Sequence, residues 1–187
     1  MVERKKPTVV LRGKKIFLRP PERTDFRGYL ALMRSSRRAH GLFRANLPTR
    51  KRFDKFFVDC WQGEEGRSFL ICREPDGVIV GSIGIFNIVR RFAQTASVGY
   101  AIGAPHLRQG YATEALQLML RYAFKKLKLH RLEASIQPAN VPSRTLARRA
   151  GFECEGVSRR SLKIGGRWRD HERWALLVED WRPLRRK

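Results

Sequence analysis

Cysteine is scarce: Cys60, Cys72 and Cys154 are odd in number and far apart, which excludes a disulfide framework and suits a reducing compartment. The four histidines, His40, His106, His130 and His171, show no H-x₃-H or H-E-x-x-H spacing and no C-x-x-C occurs, so a metal has no ligand set. Gly-x-Ser-x-Gly is absent, which leaves a nucleophile elbow unsupported. So are the G-K-[ST] of a Walker loop and the G-x-G-x-x-G of a dinucleotide fold. No apolar run approaches the roughly 18–20 residues of a membrane span. The opening MVERKKPTVVLRGKK is broken by charges and Pro7 and is no signal peptide. Neither an internal repeat nor a low-complexity linker is found. Acids are few as well, 17 against 40 Lys and Arg, for a net charge of +23. These absences predict a cytoplasmic protein with no membrane attachment.

What is present is a core. A hydrophobic fraction of 42% and an aromatic fraction of 10% exclude wholesale disorder, and 187 residues suffice for one domain. The positive surface attracts polyanions such as RNA or anionic cofactors. Residues 1–14 read as a basic arm, with the first dozen expected to be unstructured. Residues 15–181 read as the domain and 182–187 as a basic tail. Lys15–Pro20 alternates as a strand, and Thr24 and Asp25 precede a helix carrying Phe26, Tyr29, Leu30 and Met33. Phe53, Phe56, Phe57, Cys60 and Trp61 predict a second helix over 51–61, with Arg34 to Lys51 as loop.

Ser68–Cys72, Val78–Val89 and Ser97–Ile102 read as strands joined by short turns, hence antiparallel hairpins. The period then changes to helical, with Ala115, Leu116, Met119, Leu120, Ala123 and Leu127 at i+3/i+4. Arg131–Ile136 returns to strand. Asn140–Ala150 is a short helix, with Asn140 as cap, Pro142 in the first turn and Gly151 as the stop. A last hairpin, Glu153–Leu162 and Trp168–Val178, turns at Gly165–Gly166. The fold class is α/β (α+β), one central sheet with helices on its faces.

The chemistry concentrates in 97–114, SVGYAIGAPHLRQGYATE, where a strand runs through a loop with Gly103 and Gly110 into the long helix. A helix N-terminus offers unpaired N–H groups and partial positive charge, glycine lets an anion approach, and Arg108 adds a full charge. The segment reads as a phosphate cradle or, alternatively, as a plain strand–helix connection that contains a glycine.

RQGYATEAL, followed one strand later by ANVPSRTLARRAGFECEG, resembles the GNAT superfamily of acetyl-CoA-dependent N-acetyltransferases. Of the family's Q/R-x-x-G-x-G/A loop, Gly110 and Ala112 match the last two positions, while Leu107 departs at the first. GSIGIFNIVR, SVGYAIG, LHRLEA and GGRWRDHERWAL resemble more narrowly the RimJ/RimL branch, which acetylates N-termini of ribosomal proteins, with RimJ the nearer. The resemblance spans roughly 15–181. It implies a single mixed, mostly antiparallel sheet, splayed at the cofactor site. It also implies that backbone N–H groups of Arg108, Gln109, Gly110, Tyr111, Ala112 and Thr113 hold the pyrophosphate of acetyl-CoA. The pantetheine would pair with Tyr100, Ala101 and Ile102, and Asn140 would contact its arm. Gly99 suggests a bulge or a close backbone approach in that strand.

The implied reaction is direct attack of a neutral amine on the thioester. An α-amino group, with pKa near 8, is about a tenth neutral at pH 7, whereas a lysine near 10.4 needs far more help. The Tyr that many relatives use as acid falls on Ala147 here. Ser143 matches the serine of the RimL type and is the catalytic candidate, although a first-turn hydroxyl also serves the backbone. The RimL-type Glu base falls on Leu162. Glu133, Glu155 and Asp170 are acidic candidates that ion pairing explains equally well, and His171 reads first as a structural histidine. The implied partner is the N-terminus of a ribosomal protein. Arg34, Arg37, Arg38, Arg44, Arg50, Lys51 and Arg52 gather where relatives build the acceptor rim, so rRNA or ribosome contact is a further expectation, testable by salt. The alternatives are a GNAT-like assembly factor on rRNA, and an acetyltransferase for a small amine such as an antibiotic or polyamine.

Overall fold

The computed structural model describes residues 10–36, 47, 49–55 and 65–183. They form an eight-stranded sheet in the order β1-β2-β3-β4-β5-β6-β8-β7. The strands are β1 Leu11–Arg12, β2 Ile16–Arg19, β3 Gly66–Arg73, β4 Ile79–Val89, β5 Thr95–Ile102, β6 Arg131–Ile136, β7 Glu153–Ile164 and β8 Arg167–Leu177. The helices are α1 Phe26–Ser35, α2 Arg50–Phe53, α3 Tyr111–Arg121 and α4 Val141–Arg149. Every neighbouring pair is antiparallel except β5–β6, which the α3 crossover makes parallel. The sheet is mixed, as the sequence predicts.

Period-2 alternation divides the core between two faces. Ile16, Leu18, Phe69, Ile71, Ile83 and Ile85 point to one side, where α3 lays down Ala115, Leu116, Met119 and Leu120. Phe17, Leu70 and Cys72 point to the other and meet Tyr29, Leu32 and Met33 of α1 and Phe53 of α2. Each fully buried Leu or Met in this packing contributes about 1.5–3 kcal/mol. Past Arg121, α3 continues as one π turn, Tyr122–Lys126, that buries Ala123 and Phe124. Phe124 packs on Trp181 at 5.4 Å between ring centroids, and this contact anchors the end of the fold.

Two expectations are revised. Leu11–Arg12, inside the stretch read as unstructured arm, pairs with Leu18 and Phe17 of β2. What holds it there is remote: Glu114 in the first turn of α3 accepts from the backbone N–H groups of Lys14 and Lys15. A Cβ on Gly13 would collide with that carboxylate, so only glycine permits the approach. The helix expected over 51–61 is described from Arg50 to Phe53, with Phe53 buried; residues 56–61 lie outside the described residues.

Candidate active site

The site begins where the sheet stops being continuous. Parallel pairing of β5 with β6 covers only Thr95–Arg131, Ala96–Leu132 and Ser97–Glu133. Beyond Ser97, β5 stays paired with β4 as far as Ile102, and β6 stays paired with β8 as far as Ile136. The sheet therefore splays, and at Tyr100 and Ala101 the side of β5 that faces away from β4 is not covered by a strand. The bulge expected at Gly99 does not form: Gly99 pairs in regular register with Gly84, and the register shift lies between Phe86 and Val89. Gly99 is small for another reason. A Cβ there would meet the Phe86 ring at 3.3 Å.

From Ile102 the chain passes through a 3-10 turn, Ala104–His106, into the exposed loop of Arg108, Gln109 and Gly110. Arg108 has φ +60° and Gly110 φ +85°. Left-handed residues in such a turn are how backbone N–H groups form a concavity for an anion. Gly110 caps α3 without a side chain, so the first-turn N–H groups of Tyr111, Ala112 and Thr113 have no intrahelical partner. No hydrogen bond joins them to a protein acceptor among the described residues. The donor set fits a diphosphate: several free N–H groups, a helix N-terminus, and cations beside them.

One of those cations escaped the sequence reading. Lys15, the residue just before β2, donates Nζ to the Gln109 carbonyl at 3.2 Å. Its ammonium lies 3.7 Å from where a Gly110 side chain would begin. No local pattern announces a contact between residues 94 positions apart.

The opposite wall of the opening is α4. Asn140 caps it, its Oδ1 accepting from the Ser143 N–H at 3.2 Å. Ser143 sits half-buried in the first turn, and its carbonyl accepts from the Tyr100 hydroxyl at 3.5 Å. Tyr100 thus spans the splay from β5 to α4, and burial raises its pKa and keeps it a proton donor. Behind this turn Arg144 pairs with the buried Glu172 at 2.9 Å, and the same carboxylate oxygen accepts from Trp174 Nε1 at 2.9 Å. Glu172, which the sequence reading did not single out, fixes α4 against β8.

The acidic candidates are occupied. Glu133 and Glu155 both hold Arg131, at 2.7 and 2.5 Å, and the pairing lowers the Glu155 pKa. Asp170 accepts from the Arg160 backbone N–H at 2.7 Å. His171 is only 3% exposed. Of the predicted acceptor rim, Arg34 and Arg50, Lys51 and Arg52 belong to α1 and α2 beside the same face; Arg37, Arg38 and Arg44 lie outside the described residues. Among the described residues no group of His, Cys, Asp and Glu could hold a metal, and no helix is long and apolar enough to cross a membrane.

Comparison with known proteins agrees with this geometry. The family model described as an acetyltransferase (GNAT) domain matches residues 15–153. The chain is 36% identical over 179 residues to a probable N-acetyltransferase, YjcK, of Bacillus subtilis (strain 168), across 91% of this chain and 98% of that one. It is 38% identical over 107 residues to the [ribosomal protein uS5]-alanine N-acetyltransferase of Escherichia coli (strain K12), across 57% of this chain and 55% of that one. Among solved structures, Mycobacterium smegmatis RimJ in complex with CoA-disulfide superposes with a TM-score of 0.79 at 26% identity, across 88% of this chain and 82% of that one. With its splayed sheet and its glycine-capped helix, the chain belongs to the GNAT family of acetyltransferases.

Proposed function

We propose that this chain transfers the acetyl group of acetyl-CoA to the N-terminal α-amine of a ribosomal protein. The observation that carries the reading is the adjacency of two open backbones. The free N–H groups at the α3 N-terminus seat the pyrophosphate, and the edge of β5 left open at Tyr100 and Ala101, just before Ile102, receives the pantetheine amides as an extra strand would. Arg108, Gln109, Gly110, Tyr111, Ala112 and Thr113 form the first part, and Asn140 faces the arm. Acetyl-CoA supplies the activated acyl group. The chain orients it, shields it between β5 and α4, and keeps the Ser143 hydroxyl beside the departing sulfur as proton donor. Relatives that act on ribosomal proteins, at 38% identity over 107 residues, support the acceptor class. A net charge of +23 disfavours a polyamine acceptor and suits a setting rich in RNA.

The test is a mass-spectrometric comparison of protein N-termini from cells with and without this chain. One or a few ribosomal proteins should lose N-terminal acetylation when it is deleted. An unchanged set sinks the acceptor assignment and favours a non-catalytic role on the ribosome.

A further inference from the structure

The strand register places His171 on the α1 face of the sheet. On β8, Arg173 and Ala175 pair with Ser135 and Glu133 of β6, and Glu133 pairs with Ser97 of β5. Ser97, Gly99 and Ala101 pair in turn with Phe86, Gly84 and Ser82, and the Ser82 hydroxyl meets Tyr29 of α1 at 3.0 Å. Side chains paired across strands share a face, so His171, two residues before Arg173, faces the α1 side. The other side of the opening is closed by α4, Tyr100 and the start of α3. An amine must therefore arrive from the α1 side. Along the strands, His171 lies one residue past the last β6–β8 pair, Ile136–Glu172, level with the stretch of β5 that the splay leaves open.

Its local geometry defines which nitrogen is basic. Nδ1 lies 3.1 Å from the Arg169 carbonyl oxygen, which can only accept. Nδ1 therefore carries the proton, and Nε2 of the neutral ring presents a lone pair. Nε2 has no hydrogen-bond partner among the described residues. The strand beside it is irregular: between the pairs Ser158–His171 and Leu162–Arg169, three residues of β7 oppose Asp170 alone. This bulge, with Arg160 at φ +48°, brings the Ser161 hydroxyl to 3.3 Å from Nδ1. Bulges re-aim side chains next to active sites. The carboxylates nearby are engaged elsewhere, Glu133 and Glu155 by Arg131, Asp170 by the Arg160 N–H, and Glu172 on the opposite face by Arg144.

We propose that His171 Nε2 is the proton acceptor of the reaction, working through one water molecule, with the Arg169 carbonyl fixing its tautomer. As the C–N bond forms and the C–S bond breaks, the nitrogen sheds one proton to Nε2, and the departing thiolate takes one from the Ser143 side. His171 then returns its proton to solvent, and the Ser143 hydroxyl regains one from solvent, so both groups end as they began. Acid and base act from opposite faces of the splay. This rests on the acetyl-transfer reading above.

His171→Asn separates chemistry from structure, because its amide can still donate to the Arg169 carbonyl while Nε2 is gone. The variant should keep its melting temperature and its shift with acetyl-CoA, yet release thiol from acetyl-CoA and an alanine-initiated decapeptide about 100-fold more slowly in kcat, with KM little changed. His171→Gly should regain turnover when free imidazole is added. Turnover by the His171→Asn variant as fast as wild type overturns the assignment. Long-range ¹H–¹⁵N spectra of wild-type protein should show Nδ1 protonated and Nε2 bare, and the reverse tautomer overturns it without any acceptor. A decapeptide that wild type ignores would count against the acceptor class alone, and the tautomer would still decide His171.

Discussion

The two faces of the splay are made of different materials. On the α3 and α4 side the groups are largely backbone amides, set by a glycine, a helix start and an asparagine cap, with Lys15, Tyr100 and Ser143 beside them. On the α1 side they are side chains, aimed by a β-bulge, a histidine tautomer and a set of arginines. A cofactor with a fixed shape can be held by main chain, which tolerates sequence change; an acceptor must be told apart from others, which requires side chains. On the function proposed above, the family's shared cofactor would be read by one face and the acceptor by the other.

The sharpest way to break the contrast is Gly110→Glu. A side chain at φ +85°, beside the Lys15 ammonium, fills the cradle and adds a charge that repels phosphate. Coenzyme A at about 100 times its Kd should stabilise wild type by about 2.7 kcal/mol, and the variant by nothing, as read by thermal melting. A retained shift would move the cofactor elsewhere. Next in size, Ser143→Ala should lower kcat about 100-fold while leaving stability within about 0.5 kcal/mol, measured by thiol release and by melting. Unchanged turnover would reduce Ser143 to a first-turn residue.

Lys15→Gln should weaken coenzyme A by about threefold to tenfold at low salt and less at high salt, by calorimetric titration, because an exposed cation is screened. The smallest effect belongs to the α1 face and to alkaline pH. Burial raises the Tyr29 hydroxyl from its ordinary 10.0 to about 12. The folded chain holds this proton more tightly than the unfolded one, so its contribution is intact below pH 10 and lost as pH climbs toward 12. Tyr29→Phe should flatten that limb in denaturant titrations at successive pH values. An unchanged slope would place the phenol in water.

Legibility in the sequence follows the same divide. Gly110 before an apolar helical period, and Asn140 with Pro142 and Gly151, are local signals, so the elements and the cradle could be read directly. The splay came from the resemblance, not from any residue; Gly99 pointed to a bulge and was instead making room for Phe86. Lys15 at Gln109, Glu114 at Gly13 and Arg144 at Glu172 join residues that are distant in sequence. No window of a dozen residues contains both partners. In the sequence His171, alone on a predicted strand, reads first as a structural histidine, and only the register of β8 and the bulge at 159–161 show which way it faces.

Glu114 puts a negative charge in the turn proposed to seat a diphosphate, and the backbone ahead of β2 offsets it by aiming two amides at the carboxylate. Lys14→Pro would strip one amide from that shield, and the less neutralised carboxylate would push back against an incoming anion. If the diphosphate sits where the function proposed above puts it, the backbone of Lys14 and Lys15 is an electrostatic component of cofactor affinity, although it lies at the far edge of the sheet.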